Sequence, residues 1–405
     1  MRRTRWVVLG GSFLAYMFDA MEIILLSLAL PAIREDMDLG PAQAGLLATA
    51  TLLGIGLSSL LAGYVSDNFG RRTALIASLA TFGVFTAALA VVPNFEIFLL
   101  LRFVAGFGLG GVWGVVSAYV VETWPSESRG RAAAFVLSSF PIGGVVAAVL
   151  SGVFLPDWRL MFLVAGAGVV LPLLIVIMLF PESRAWVDAK AADSGGRVSI
   201  TEIFAPQVRR RTILATLVAG LALTGWWGGS TWLPTYLATE RGIPTATVAV
   251  FMTVLNLGMF VGYNVFGLIA DRIGRRSAII VSLLGVAVTL PLYALTSNQT
   301  ALLWFGPLFA FFAAFTGLFG SYIGELFPTR IRTTGAGFCF NVGRGVSAFA
   351  PFGLAALATV TGLSGGLLVC AAFFAAAGLL TFLLPRTDSP PAASVVPTVT
   401  TERTA

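Results

Sequence analysis

The chain has 405 residues, of which 57% are hydrophobic and only 11% charged, with a formal net charge of +6. A soluble domain of this length needs far more charge on its surface, so that class is excluded. The basic balance would suit nucleic acid, but its distribution along the chain argues against that partner. Twelve apolar windows recur, at about 6–33, 42–65, 73–92, 95–122, 132–155, 159–180, 212–238, 246–270, 277–296, 301–325, 334–359 and 364–384. Each is long enough to cross a bilayer as a helix, and membrane strands would be shorter and alternate in polarity.

The expected fold is an all-α membrane protein with twelve transmembrane helices in two pseudo-symmetric six-helix bundles. The halves are expected at residues 1–180 and 212–385. A cytoplasmic linker over 181–211 joins them, and a disordered tail over 386–405 follows. With the N-terminus placed in the cytoplasm, 20 of the 25 Lys and Arg residues fall in inner segments and 3 in outer loops, with Arg102 and Arg344 inside spans. This asymmetry predicts that both termini are cytoplasmic in a plasma or inner membrane. The first run is too long for a signal peptide and reads as a retained helix. Cys339 and Cys370 both fall in predicted spans, where small-residue packing is the expected role.

The first window carries Tyr16-Met17-Phe18-Asp19-Ala20-Met21-Glu22. At about 1.5 Å per residue, Asp19 lies roughly 20 Å into its run, near the centre of a hydrocarbon core about 30 Å thick. Carboxylates at that depth are costly and point to function. Asp19 and Glu22 are three apart and share a face with Tyr16. Two neighbouring carboxylates in a low dielectric resist double ionisation, so the pair can take a proton from one side and release it to the other. The chain has no histidine, so proton coupling must run through carboxylates. A structural pairing of these acids with an arginine, or a sodium site, are the alternatives.

The segment after the second window reads Gly63-Tyr-Val-Ser-Asp67-Asn-Phe-Gly70-Arg71-Arg72. It returns as Gly267-Leu-Ile-Ala-Asp271-Arg-Ile-Gly274-Arg275-Arg276, an offset of 204 residues. Glu122-Thr-Trp-Pro125 returns as Glu325-Leu-Phe-Pro328 with an offset of 203, so two independent landmarks report one duplication. These residues resemble the major facilitator superfamily, and the resemblance covers essentially residues 1–385. It implies a secondary transporter in which the loops containing Asp67 and Asp271 brace each half during the conformational cycle. The spacing Asp19-x-x-Glu22 also resembles the first-helix acidic element of the aromatic-acid and organic-acid proton symporters, with Ala20 and Glu22 replacing the usual Gly and Asp.

In the fourth window, Arg102, Gly106 and Gly110 recur every four residues and continue to Trp113 and Ser117 on one face. The glycines suit helix contact. Arg102 must face protein, water or an anion, in a charge relay or a structural pair. Phe140-Pro141-Ile142-Gly143-Gly144 is a shortened form of the pattern of proton-antiporting exporters. Pro181-Glu-Ser-Arg184 resembles a sugar-porter signature with one proline missing. The only glutamines are Gln43, Gln207 and Gln299, in or near loops, and a sugar needs many directional hydrogen bonds.

Later in the chain, Trp232 and Tyr236 share a helix face, as an interfacial aromatic belt or as a wall for substrate stacking. Asn341 and Arg344 lie three apart in the eleventh window. A buried guanidinium needs an anion, and its planar fork fits a carboxylate. A substrate carboxylate is the preferred partner, with an internal acid such as Glu325 as the other; Glu325 itself reads as a gate or brace.

The residues together predict proton-coupled symport of a small organic anion, an aromatic acid or another monocarboxylate, by alternating access. Tyr16, Trp113, Trp232, Tyr236, Asn341 and Arg344 are the expected substrate contacts. Proton antiport of apolar or cationic compounds and transport of a sugar or another metabolite are the alternatives. No cofactor, resident metal or enzymatic activity is expected, because no metal-ligand cluster or nucleophile–base pair occurs. The expected partners are substrate, proton and lipid, without nucleic acid, for a chain working as a monomer.

Overall fold

A computed structural model describes residues 2–125, 129–184, 186–187, 200–328 and 331–386. All regular structure among them is helical. In the first half the crossings are α1 (Arg2–Asp36), α2 (Pro41–Phe69), α3 (Arg71–Ala88) and α4 (Phe95–Thr123). Two broken crossings complete it: α5 (Arg129–Leu137 with Ser139–Phe154) and α6 (Trp158–Gly168 with Val170–Leu179). A 3₁₀ turn, Ile200–Phe204, precedes α7 (Arg209–Thr239). Then come α8 (Thr245–Ile273), α9 (Arg275–Leu295) and α10 (Gln299–Phe312 with Phe315–Glu325).

The remaining helices, Arg332–Ser347 and Ala350–Thr381, join in one apolar stretch, Gly335–Thr381, of 47 residues. At about 1.5 Å per residue this would extend about 70 Å, more than twice the hydrocarbon thickness. Gly362 breaks it with φ 73°, in the left-handed region that glycine tolerates best. α11 therefore runs from Arg332 to residue 361 and α12 from 363 to Thr381, so the 11 apolar helical stretches make twelve crossings. Glu240, at the end of α7, accepts hydrogen bonds from the backbone N–H groups of Leu363 and Ser364 and thereby caps α12. Residues 387–405, which hold nearly all of the expected tail, lie outside the described residues, as do 188–199 of the expected linker.

The end of the bundle that carries Arg2 is called the near end here, and the opposite end the far end. The duplication is visible in the helix starts at the far end. Asn94 caps α4 by accepting from the Ile97 N–H at 3.0 Å, and Asn298 caps α10 by accepting from Ala301 at 3.0 Å. Within the first half, α2 and α4 approach closely. A Cβ on Gly106 would lie 2.2 Å from the Thr51 carbonyl oxygen, so only glycine allows that contact.

The two halves touch at the far side and at mid-membrane. Gly45 of α2 lies against the backbone of Pro351 and Phe352 in α11, and Gly152 of α5 against Ala249 of α8. Nearer the middle, the Asn256 side chain of α8 fills the notch at Gly144 of α5.

Candidate functional site at the junction of the halves

Charge inside a bilayer must be neutralised or used, which makes the intramembrane ions the starting point. Glu22 of α1 and Arg102 of α4 neutralise each other. Arg102 Nη1 donates to Glu22 Oε1 at 2.5 Å, and both side chains have 0% exposure. Thr86 of α3 donates to the same oxygen at 2.7 Å, and Arg102 Nε donates to Thr51 Oγ1 of α2 at 2.9 Å. The guanidinium also lies 5.9 Å from the Phe162 ring of α6. Five helices of the first half thus converge on one ion pair.

Asp19, one turn earlier on α1, has a different neighbourhood. It is 4% exposed, and its Oδ1 has no hydrogen-bond partner. The cation acting on it electrostatically is Arg344 of α11, in the other half. No ion pair within 4.0 Å joins the two among the described residues, and Arg344 Nε is also buried without a partner. Arg344 acts on Tyr16 too, and its guanidinium lies 5.2 Å from the Phe340 ring.

Aromatic rings surround this centre. Tyr16 packs on Trp113 of α4 with centroids 4.9 Å apart and on Phe140 of α5 at 5.9 Å. Tyr263 of α8, hydrogen-bonded to Thr316 of α10, approaches the centre from the other half. Trp227 of α7 joins the packed cluster that contains Tyr16. Asn341 is half-buried, one turn toward the near end from Arg344. A crevice lined by Leu28, Pro31, Glu35, Leu155, Pro234 and Val248 opens at the far end and shares no residue with this centre.

The structure therefore gathers Tyr16, Asp19, Trp113 and Arg344, and sets Glu22 with Arg102 beside them. Trp232 and Tyr236 belong to the packing of the second half. Trp232 Nε1 donates to the Pro351 carbonyl at 2.9 Å, and Tyr236 Oη donates to the Ala294 carbonyl at 3.0 Å and accepts from Arg241 Nε at 2.6 Å. Trp227, Phe340, Phe140 and Tyr263 were missed as site residues. Their helical periodicity matches ordinary apolar faces, and the only available signal was aromatic content at the depth of the charges.

The repeated loops form matching braces at the near end. Arg71 Nη2 pairs with Glu122 of α4 at 3.0 Å, and Arg275 pairs with Glu325 of α10. Arg72 donates to the Ile177 carbonyl, and Arg276 to those of Thr381 and Phe382. Tyr119 Oη donates to Pro181 O at 3.2 Å, and Tyr322 Oη to Pro385 O at 2.9 Å. Gly70 and Gly274, with φ of 101° and 84°, make the turns into α3 and α9. Gly63 and Gly267 lie in the last turns of α2 and α8. Asp271 is exposed at the end of α8, while the side chain of Asp67 lies outside the described residues.

One feature is not repeated. Glu182 Oε1 accepts from the backbone N–H groups of Arg71 at 2.7 Å and Arg72 at 3.3 Å, placing a carboxylate on the α3 N-terminus. The corresponding position of the second half is Arg386, since Pro181-Glu182 aligns with Pro385-Arg386.

The Major Facilitator Superfamily model matches residues 11–351 and 252–403. The cis,cis-muconate transport protein of Acinetobacter baylyi is 30% identical, covering 91% of each chain. The probable 4-methylmuconolactone transporter of Cupriavidus pinatubonensis is 31% identical over 95% of this chain and 91% of its own. The xylose transporter XylE from E. coli, in a partially occluded inward open conformation, shares the fold with a TM-score of 0.78, at 15% identity over 96% of this chain and 100% of its own. Twelve helices in two duplicated halves, matching braces at both loops and charged groups held at the junction are thus found in a chain that belongs to the Major Facilitator Superfamily, a multi-pass membrane transporter and not an enzyme.

Proposed function

We propose that this chain imports a small organic acid, an aromatic acid or another monocarboxylate, together with a proton. The observation that carries the reading is the placement of Asp19 and Tyr16 in one half opposite Arg344 in the other, with polar atoms of both charged residues buried and unpartnered. An arginine fork without a protein carboxylate within ion-pair distance suits an incoming carboxylate. The surrounding rings, Tyr16, Trp113, Phe140 and Phe340, suit an apolar or planar body. The names of the relatives, transporters of muconate and of a muconolactone, support an organic acid as cargo.

In this reading Asp19 takes a proton before the anion enters, which removes the repulsion between two negative charges in a low dielectric. The anion binds Arg344, and the halves rock about the centre to expose it at the opposite side. The Glu22–Arg102 pair lies one turn from Asp19, so a change of charge at Asp19 is felt there; this is the role given to Glu22 in coupling. The excess of basic residues at the near end supports a cytoplasmic location for both termini in the cell membrane.

The test is uptake by proteoliposomes of a panel of aromatic and short-chain acids, with and without an inward proton gradient. Accumulation driven by the gradient, with protons and acid moving the same way, is expected. Opposite movement of proton and substrate establishes antiport instead, and uptake indifferent to the gradient removes the coupling.

A further inference from the structure

Trp227 is the one buried tryptophan on α7 whose indole N–H is unused. Its side chain is 7% exposed, and Nε1 has no hydrogen-bond partner among the described residues. Buried donors in folded chains are nearly always satisfied, and one that is not calls for an explanation. The same helix shows what satisfaction looks like: five residues on, Trp232 delivers its N–H to the Pro351 carbonyl at 2.9 Å. Trp227 belongs instead to the packed cluster that contains Tyr16, Leu52 and Val112 of the opposite half, with Leu223 and Ala348 from its own half.

The level of Trp227 along the bundle is fixed by the neighbours of its helix. Gly228 faces Ala350 of α11, where a Cβ would come within 3.5 Å of the alanine side chain, and Gly220 faces Gly343. Trp227 is therefore level with Ala348, about one helical turn toward the far end from Arg344, or roughly 5 Å. Residues 344 and 348 share a face of α11. Two residues with a buried donor lacking a partner, Arg344 through Nε and Trp227 through Nε1, thus sit at levels about one turn apart along their neighbouring helices.

Their chemistries differ, and the difference restricts the ligand. Arg344 carries the charge. The other intramembrane arginine, Arg102, is neutralised by Glu22 at 2.5 Å. Trp227 is neutral, so it suits a neutral acceptor rather than a second carboxylate, which would find no cation of its own. We propose that the Trp227 indole N–H donates to a neutral acceptor, a ring nitrogen or hydroxyl oxygen, on the body of a monocarboxylate whose carboxylate lies at Arg344. This rests on the organic-acid reading above and adds to it a basis for selecting among acids of one size.

Benzoate, nicotinate and 4-hydroxybenzoate test it, being of nearly equal size and alike in carboxylate. Uptake of each is measured in proteoliposomes of the full chain, for wild type and Trp227→Phe. One of the two acceptor-bearing acids is expected to exceed benzoate about tenfold in kcat/KM, since a binding site loses about that much when one buried hydrogen bond goes unmade. Trp227→Phe keeps an aromatic ring and is expected to bring the ratio to within about twofold of one. A benzothienylalanine at position 227, which replaces N–H by sulfur in the same shape, covers the case in which phenylalanine does not fold. An undiminished ratio in either variant, or a wild type that prefers benzoate, overturns the role of Trp227 while leaving acid transport standing. A wild type that accumulates none of these or the other panel acids overturns the transport reading, and the role of Trp227 with it.

Discussion

Glu22 and Arg102 form a fully buried ion pair 2.5 Å apart, tied to three further helices through Thr86, Thr51 and Phe162. Removing one partner strands an uncompensated charge in a low-dielectric interior, whereas removing both does not. Glu22→Leu and Arg102→Met are each expected to destabilise the protein by about 3–5 kcal/mol, and the double substitution by much less. Thermal unfolding of the four proteins in detergent checks this as a double-mutant cycle. Additive losses would mean that the pair carries no mutual energy.

Asp19 makes no ion pair within that cluster, and the cation acting on it is Arg344 of the other half. Asp19→Asn is expected to abolish accumulation driven by a proton gradient while leaving exchange of internal for external acid within a few-fold of wild type. Counterflow of labelled acid, run beside gradient-driven uptake, separates the two. Gradient-driven accumulation that survives in Asp19→Asn removes Asp19 from the coupling step.

Arg344→Lys keeps the charge but loses the planar fork. A lysine is expected to raise the KM for acid at least about tenfold, consistent with a charge-assisted bidentate contact worth about 1.5–3 kcal/mol. Arg344→Gln is expected to leave no measurable uptake. An unchanged KM in the lysine variant would show that charge alone holds the substrate.

The notch on α5 gives a paired prediction. A Cβ on Gly143 would lie 2.3 Å from the Met17 carbonyl of α1, and one on Gly144 would lie 2.1 Å from the Asn256 side chain of α8. The first obstacle is backbone and the second a side chain. Gly143→Ala is therefore expected to cost about 1–3 kcal/mol with no local remedy. Gly144→Ala is expected to impair transport and to be rescued by Asn256→Ala. Rescue of Gly143→Ala by that same change would show that the obstacle was misidentified.

The twelve crossings could be read from the chain because membrane thickness imposes a length on every apolar run. The break between the last two was also legible, since Thr361-Gly362-Leu363-Ser364 interrupts the hydropathy where Gly362 turns the backbone. Asp19, Glu22, Arg102 and Arg344 were legible as costly residues, because charge in hydrocarbon is rare. Their pairing was not. Glu22 and Arg102 are 80 residues apart, and no local period relates α1 to α4. Rotation of α7 was hidden for the same reason. Trp227 and Trp232 lie on different faces, and nothing along the helix says which face meets the other half; the structure gives Trp232 a carbonyl of its own half and Trp227 a place in the packed cluster that contains Tyr16.

Gly220 and Gly343 bring α7 and α11 into backbone contact, where a Cβ on Gly343 would lie 2.8 Å from the Gly220 nitrogen. Glu240 ties the far end of α7 to the start of α12. Arg344 and Trp227 thus ride on one stiff lever, and Asp19 and Tyr16 on another. In the proposed cycle, hinge motion between the halves would change the separation of Asp19 and Arg344 while leaving Arg344 and Trp227 in register. Since the energy between charges scales inversely with distance, that separation would, in the proton-coupled cycle proposed above, act as gearing between the angle of two levers and the ease with which one carboxylate holds its proton.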